Sequence, residues 1–227
     1  MRLNLSLYNE KEKQLIQKTY TFLKEELNKK LLSPAHMLDH YERVHNLALK
    51  IIKEEDIKVD VLVVGVAALM HDIGEMRSYE SKLRHVEESV NIAEKVLKKF
   101  GLSANKIKDI IYAISVHSFT KGHVKPETLE AQVLQDADRL DALGAIGIAR
   151  CLMPSGAWGR QLYHYNDPFA NNRKLNDKEY AIDHFYIKLL KLPSLMNTNT
   201  AKKMAQERVK ILKEFLKELE RELVESY

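Results

Sequence analysis

An all-α fold is predicted by three features of this 227-residue chain. Helix-forming Lys, Leu, Glu and Ala dominate it. Only eight glycines and five prolines are available for turns. The helical rhythm is interrupted in just two stretches, which leaves about eight helices, over residues 10–31, 36–55, 58–73, 83–100, 104–117, 127–149, 178–191 and 198–224. Ser33-Pro34 separates the first two, because the residue before a proline is pushed out of the helical region. Gly101-Leu102-Ser103 reads as a helix stop followed by an N-cap. Val61–Met70 is rich in β-branched residues and fits a strand by pattern alone. Its length, its Ala67-Ala68-Leu69 continuation and its helical surroundings decide for a buried helix. The irregular stretches are 118–126 and 153 to about 176. The second holds the only tryptophan, two tyrosines, a histidine and two arginines. Such a segment suits a lid over a site or a packed structural loop equally well. No repeat, low-complexity tract or linker is visible, so one domain over 1–227 is expected.

Composition narrows the function classes. Hydrophobic residues at 45% and charged residues at 30% are an ordinary balance for a chain that buries a core. The net charge is +4, but lysines alternate with glutamates, as at 11–13 and 217–222. That pattern describes solvated helix faces rather than a surface for a nucleic-acid polymer. A mild positive bias still favours small phosphate esters. The single cysteine, Cys151, excludes a disulfide framework and implies a reducing, cytoplasmic setting. Its expected role is that of a packed core thiol. The first residues, MRLNLSLYNEKEKQ, contain no apolar run of the secretory kind. The longest apolar stretch, Val59–Met70, is far short of the ~20 residues that span a bilayer, so no membrane partner is expected.

Three motifs carry chemistry. His71-Asp72 follows the apolar stretch, where a charged pair is costly unless it is partnered or bound to a cation. A helix-end Asp beside a satisfied histidine is the plainer reading. Gly74 would permit a sharp exit that leaves both side chains at a cavity rim. The second motif runs from Gln135 to Arg150 and contains Asp136, Asp138 and Asp141. Asp138 and Asp141 share a helical face. Gly144 and Gly147 imply that another helix approaches closely, so the segment should be buried. Its acids then need a metal or a base, and Arg139 and Arg150 are the available bases. In the third motif His36 and His40 stand four apart on one helix face, a spacing able to chelate a metal, with Arg43 just beyond.

Taken in order, His40-x-x-Arg43-Val44, His71-Asp72 and Asp138 within Asp-Ala-Asp-Arg-Leu-Asp resemble the HD superfamily of metal-dependent phosphohydrolases. The likeness extends to Glu87-Glu88-Ser89-Val90 after His85, to His117-Ser118-Phe119 and to Asp183-His184-Phe185-Tyr186-x-Lys188. It covers roughly residues 35–220 and is nearest to the small stand-alone bacterial HD hydrolases, some of which act on nucleoside triphosphates. One departure is Met37, where that subgroup carries an acid after the histidine. The resemblance implies one divalent metal ion held by His40, His71, Asp72 and Asp138. Two imidazoles and two carboxylates suit Mn²⁺, Co²⁺, Fe²⁺ or Mg²⁺, with positions left for water and substrate. Such an ion would acidify a bound water and polarise a phosphoryl oxygen. Catalytic roles are expected for Asp72 and for Glu75, the acid placed to orient the water. A phosphorylated substrate, expected to be a nucleotide, would be met by Arg43, His85, His117 and Lys121. Further basic groups are Lys82, Arg84, His123 and Arg160, while Tyr163 and Tyr165 could stack on a base or simply pack. Two alternatives stay open: an HD-type di-iron oxygenase, in which His85 and His117 hold a second metal, and a non-catalytic nucleotide-binding module.

Overall fold

The computed structural model describes residues 3–29, 37–76, 85–118 and 125–225, with the side chains at 75 and 76 left out. The described residues form helices joined by turns, and their only β-type pairing is an isolated bridge between Gln161 and Tyr180. The all-α expectation holds. They divide into two compact units, Met1–Asp138 and Arg139–Tyr227.

In the first unit α1 (Glu10–Leu27) begins with a capping box: Asn9 Oδ1 accepts from Glu12 N–H at 3.0 Å, and Glu12 Oε2 accepts from Asn9 N–H at 2.9 Å. After α2 (Leu38–Glu55) comes α3 (Val61–Met70), capped by the Asp60 carboxylate on Val63 N–H. From Leu62 to Met70 every residue of α3 is buried, against α1, α2 and α5 (Ala104–Val116). Burial all round removes the polar face that marks an amphipathic helix, which is why its pattern also fitted a strand. A 3-10 turn, Ile73–Met76, leads away from α3, and α4 (His85–Lys99) ends before Gly101, whose φ is +80°. Ser103 then caps α5. The unit closes with α6 (Leu129–Asp141), whose last residues already belong to the second unit.

A polar chain, buried at Tyr8 and His45, ties the N-terminal segment to α2. Tyr8 O–H donates to His45 Nε2 at 2.9 Å, and His45 Nδ1 faces Asn46 Oδ1 at 3.2 Å. Asn46 Oδ1 also accepts from Asn4 N–H at 2.7 Å. Gly65 of α3 makes room for it, since a Cβ there would stand 1.9 Å from the Tyr8 hydroxyl oxygen. Gly65→Ala is therefore expected to cost about 1–3 kcal/mol of stability, as overpacking does, read from the urea midpoint. Burial also holds His45 near a pKa of about 4, below the usual 6.5. Between these values the unfolded chain binds the extra proton, so His45 costs stability as pH falls from 6.5 toward 4. The expected loss is roughly 3 kcal/mol. Denaturation curves across this range should be flatter with pH for His45→Gln than for the native chain.

In the second unit α7 (Gly144–Ala157) packs on α9 (Asn199–Glu225) and α8 (Ala181–Ile187). A 3-10 segment, Leu189–Leu195, also lies on α9. The single helix expected over 127–149 is two, because the chain turns at Ala142–Leu143. Gly144 takes φ +72° there, and a Cβ on Gly147 would stand 2.2 Å from the Ala142 carbonyl oxygen. These glycines thus serve the turn itself, although Arg208 of α9 does lie against Gly144. α7 then runs on to Ala157, into the stretch expected to be irregular from 153. Ser33-Pro34 lies outside the described residues.

The rest of that stretch is pinned by Asp183, which is fully buried. Its two oxygens accept from Arg173 Nη1 and Nη2 at 2.6 and 2.7 Å, and Oδ2 also accepts from Asn176 N–H at 2.6 Å. Asp167 accepts from the N–H groups of Asn171 and Asn172 at 2.8 Å each. This part of the segment has the bonding of a packed structural loop. Removing one partner of a buried pair leaves the other charge uncompensated, so Asp183→Ala is expected to cost about 3–5 kcal/mol. Asp183→Asn, which keeps an acceptor for Asn176, should cost less in the same denaturation measurement.

Candidate metal centre

Helix ends build the site. His71 is the C-cap of α3 and His117 the C-cap of α5. Each ring turns back so that Nδ1 meets a carbonyl of its own last turn: Ala68 O at 2.9 Å for His71, and Ile114 O at 2.6 Å for His117. A carbonyl only accepts, so both Nδ1 atoms carry a hydrogen, and Nε2 is the atom each ring can turn to a metal through its lone pair. The same contacts satisfy carbonyls that a helix end leaves unpaired. Two helix C-termini also place partial negative charge at the site, which favours a cation.

Those lone pairs converge with others. His40, on the first turn of α2, sets its Nε2 3.2 Å from His71 Nε2. Asp72 Oδ2 lies 3.3 Å from His71 Nε2 and 3.7 Å from His40 Nε2. Asp138, near the end of α6, places Oδ1 3.7 Å from His40 Nε2 and 3.8 Å from His71 Nε2. Two ligands each about 2.1 Å from one ion stand about 3.0–3.4 Å apart at angles between square and tetrahedral. The observed separations match or slightly exceed such ligand edges, so the donor set fits a divalent ion. His40 and His71 are fully buried, whereas a quarter of the Asp138 side chain is exposed, which makes Asp138 the open side.

Asp72 also faces a second group. Its Oδ1 lies 3.1 Å from His117 Nε2, and Asp72, His85 and His117 bring ligand atoms within 4.8 Å of one another. His71, His117 and Asp138 form a third such group. His85 opens α4, which the chain sets against the 3-10 turn through Gly74. A Cβ on Gly74 would stand 2.3 Å from the His85 carbonyl oxygen, and Gly74 N–H donates to Ser89 Oγ at 2.8 Å. Gly74 thus serves this close approach, and its φ is not positive. The charges reinforce each other. Burial alone would lower the His71 pKa, but Asp72 and Asp138 raise it; burial would raise that of Asp138, but His71 and His40 hold it low. The pocket is electrostatically set for positive charge.

The other expected residues fall elsewhere. Arg43 pairs with Asp39 one turn back along α2, at 2.5 Å. Asp141 is bound by Arg150 at 3.0 Å, as the basic-partner reading of this acid expected. Arg160 lies over the Trp158 ring, and Tyr165 is 72% exposed. His36, Lys82, Arg84, Lys121 and His123 lie outside the described residues, as does the Glu75 side chain. Sequence reasoning did not single out Tyr41, which is fully buried with its ring 5.4 and 5.5 Å from those of His40 and His71. Its position beside His40 was the only signal.

Known proteins resemble this chain in sequence and in fold. The HD domain family model matches residues 37–143. YpgQ of Bacillus subtilis is 36% identical over 194 residues, 84% of this chain and 86% of YpgQ. The crystal structure of B. subtilis YpgQ in complex with ADP superimposes with a TM-score of 0.70 at 32% identity, covering 91% of this chain and 97% of that one. An HD-superfamily hydrolase from Bacillus thuringiensis gives 0.69 at 31% identity, covering 93% and 98%. The ordered histidines and aspartates, the helical fold and the extent of these matches establish that the chain belongs to the HD-domain family.

Proposed function

We propose that this chain is a divalent-metal-dependent phosphohydrolase acting on a nucleotide, with a nucleoside triphosphate losing pyrophosphate as the leading substrate. The convergence of histidine Nε2 atoms with the Asp72 and Asp138 oxygens carries the reading. The ADP held by YpgQ supports the nucleotide part. His40, His71, Asp72 and Asp138 would hold one ion, either Mn²⁺, Co²⁺, Fe²⁺ or Mg²⁺. Bound there, the ion would supply Lewis-acid polarisation of a phosphoryl oxygen and acidify water. The backbone carbonyls behind His71 and His117 fix the tautomers and orient both rings. Asp72 joins the two histidine groups through its two oxygens. His117 and His85 would face the transferring group, and Arg43 and Lys121 would hold the phosphate tail. Glu75 would orient the attacking water. The same reading places the protein in the cytoplasm, as a lone cysteine suits.

A panel of nucleoside triphosphates, diphosphates and simple esters, assayed with Mn²⁺, Co²⁺ or Mg²⁺, tests this directly. Metal-dependent pyrophosphate release from triphosphates is the expected result. Release independent of added ion and insensitive to chelator would contradict it. One observation favours a second reading, a two-metal centre sharing Asp72: His85 and His117 meet that carboxylate with ligand spacing. Metal content separates the two, at one or two ions per chain.

A further inference from the structure

The buried side of α2 carries a residue beside the metal centre to which the ligand set gives no role. Tyr41, Val44, Ala48 and Ile51 recur at three- and four-residue spacing and are all fully buried, and α2 packs on α3. Tyr41 stands first on that side, in the turn where His40 leaves the helix. It also meets His71, where α3 finishes.

Three rings cluster there. The Tyr41 centroid is 5.4 Å from that of His40 and 5.5 Å from that of His71, with the planes tilted by 55° and 57°. The two imidazole centroids are 5.1 Å apart at 68°. All three distances fall within the range of direct aromatic contact, and tilted or edge-on packing is what ring quadrupoles favour over a flat sandwich. None of the three residues has surface exposed to solvent.

The spacing of the two imidazoles is the one an ion demands. His40 Nε2 and His71 Nε2 stand 3.2 Å apart, the edge between two ligands of one ion. Two nitrogens that both give lone pairs to an ion make no hydrogen bond to each other, so their spacing must be held from behind. The Ala68 carbonyl orients His71 alone. The Tyr41 ring abuts both imidazoles, and a rigid ring in a close-packed interior restrains both at once.

We propose that, given the metal centre described above, Tyr41 is a positioning residue for it: the tyrosine ring, and not its hydroxyl, holds His40 and His71 at ligand spacing before an ion arrives. The cost of ordering the two imidazoles is then met on folding rather than on binding, so losing the ring weakens metal affinity.

Mn²⁺ titrated into metal-free full-length protein, with the free ion read by electron paramagnetic resonance, tests this without turnover. Tyr41→Leu should weaken binding about ten- to hundredfold, the scale of losing a group that orients metal ligands. Tyr41→Phe keeps the ring and should bind as the native chain does. The visible absorption of bound Co²⁺, which follows ligand geometry, should change in the leucine variant and stay native in the phenylalanine variant. Ile51→Ala opens a hole on the same buried side about 15 Å farther along α2. It should lower the urea midpoint yet leave Mn²⁺ affinity and the Co²⁺ spectrum unchanged. Should Tyr41→Leu not fold, Tyr41→Met, which fills more of the space with a flexible chain, takes its place with the same expectation.

Native affinity in the folded leucine or methionine variant would overturn the proposal. Equal weakening in Tyr41→Phe would overturn it by assigning the effect to the hydroxyl, and equal weakening in Ile51→Ala by assigning it to stability alone. Absence of Mn²⁺ binding in the native chain would overturn the metal-centre reading and this proposal with it. Native binding with an unaltered leucine or methionine variant overturns the proposal alone, so the two failures are distinguishable.

Discussion

Asp72→Ala is expected to abolish turnover and to strip the metal from the protein. Asp72 gives one oxygen to His40 and His71 and the other to His117, so its loss disconnects both histidine groups at once. His71→Ala should be equally inactive, since its Nε2 touches His40, Asp72 and Asp138. Some stability should be lost with activity. In the histidine variant Asp72 and Asp138 face each other without the imidazole that holds Asp138 ionised. Helical circular dichroism should remain largely intact, because α3 packs through Leu62–Met70 rather than through His71. A variant that loses its metal yet hydrolyses substrate at a near-normal rate would end the metal-dependent account.

His117→Ala and His85→Ala should lower kcat or raise KM for a nucleotide while leaving the metal content near one per chain. That pattern marks contacts made to substrate or in the transition state. His117→Ala is expected to be the more severe. Its Nε2 lies 3.1 Å from Asp72 Oδ1, and the Ile114 carbonyl fixes its ring, whereas His85 sits at the first residue of α4. In the two-metal reading both substitutions would instead remove an ion. Metal analysis of the purified variants, beside their steady-state kinetics, separates these outcomes.

Much of the architecture was legible in the sequence, for reasons that vary by element. Ser103 caps α5 through its own side chain, as its place after Gly101 suggested, while Asn9 and Asp60 cap α1 and α3 in the same local way without having been singled out. Gly101 ends α4 with a positive φ, as its place before Leu102-Ser103 suggested. The helix over 127–149 misled because the run of small residues from Ala142 suits a helix throughout. Only tertiary structure shows that Gly144 turns the chain and that Gly147 lies against the Ala142 carbonyl. The loop after α7 has no period to read, since its order comes from Asp183, a residue some way along the chain.

The candidate site was legible as a set of residue types in order, and less so as geometry. His71-Asp72 and the acids around Asp138 stood out because charged groups beside apolar runs are costly without a partner or a cation, His40 stood out by its spacing from His36, and the set of four came from the HD resemblance. The proximity of His117 to Asp72 could not be read from motifs 45 positions apart. It arises because α3 and α5 end side by side, each turning its C-cap histidine onto its own carbonyl. The companion roles of Ala68 and Ile114 are backbone roles, which no side-chain pattern announces.

Anomalous diffraction at the manganese edge, from crystals of the full chain grown with Mn²⁺, tests the central claim most directly. The expected result is one ion per chain, with His40 Nε2, His71 Nε2, an Asp72 oxygen and an Asp138 oxygen at about 2.0–2.3 Å. His85 and His117 should lie beyond bonding distance of it. An ion seated between Asp72, His85 and His117 with His40 and Asp138 uninvolved, or no ion at any of these residues, would contradict the account.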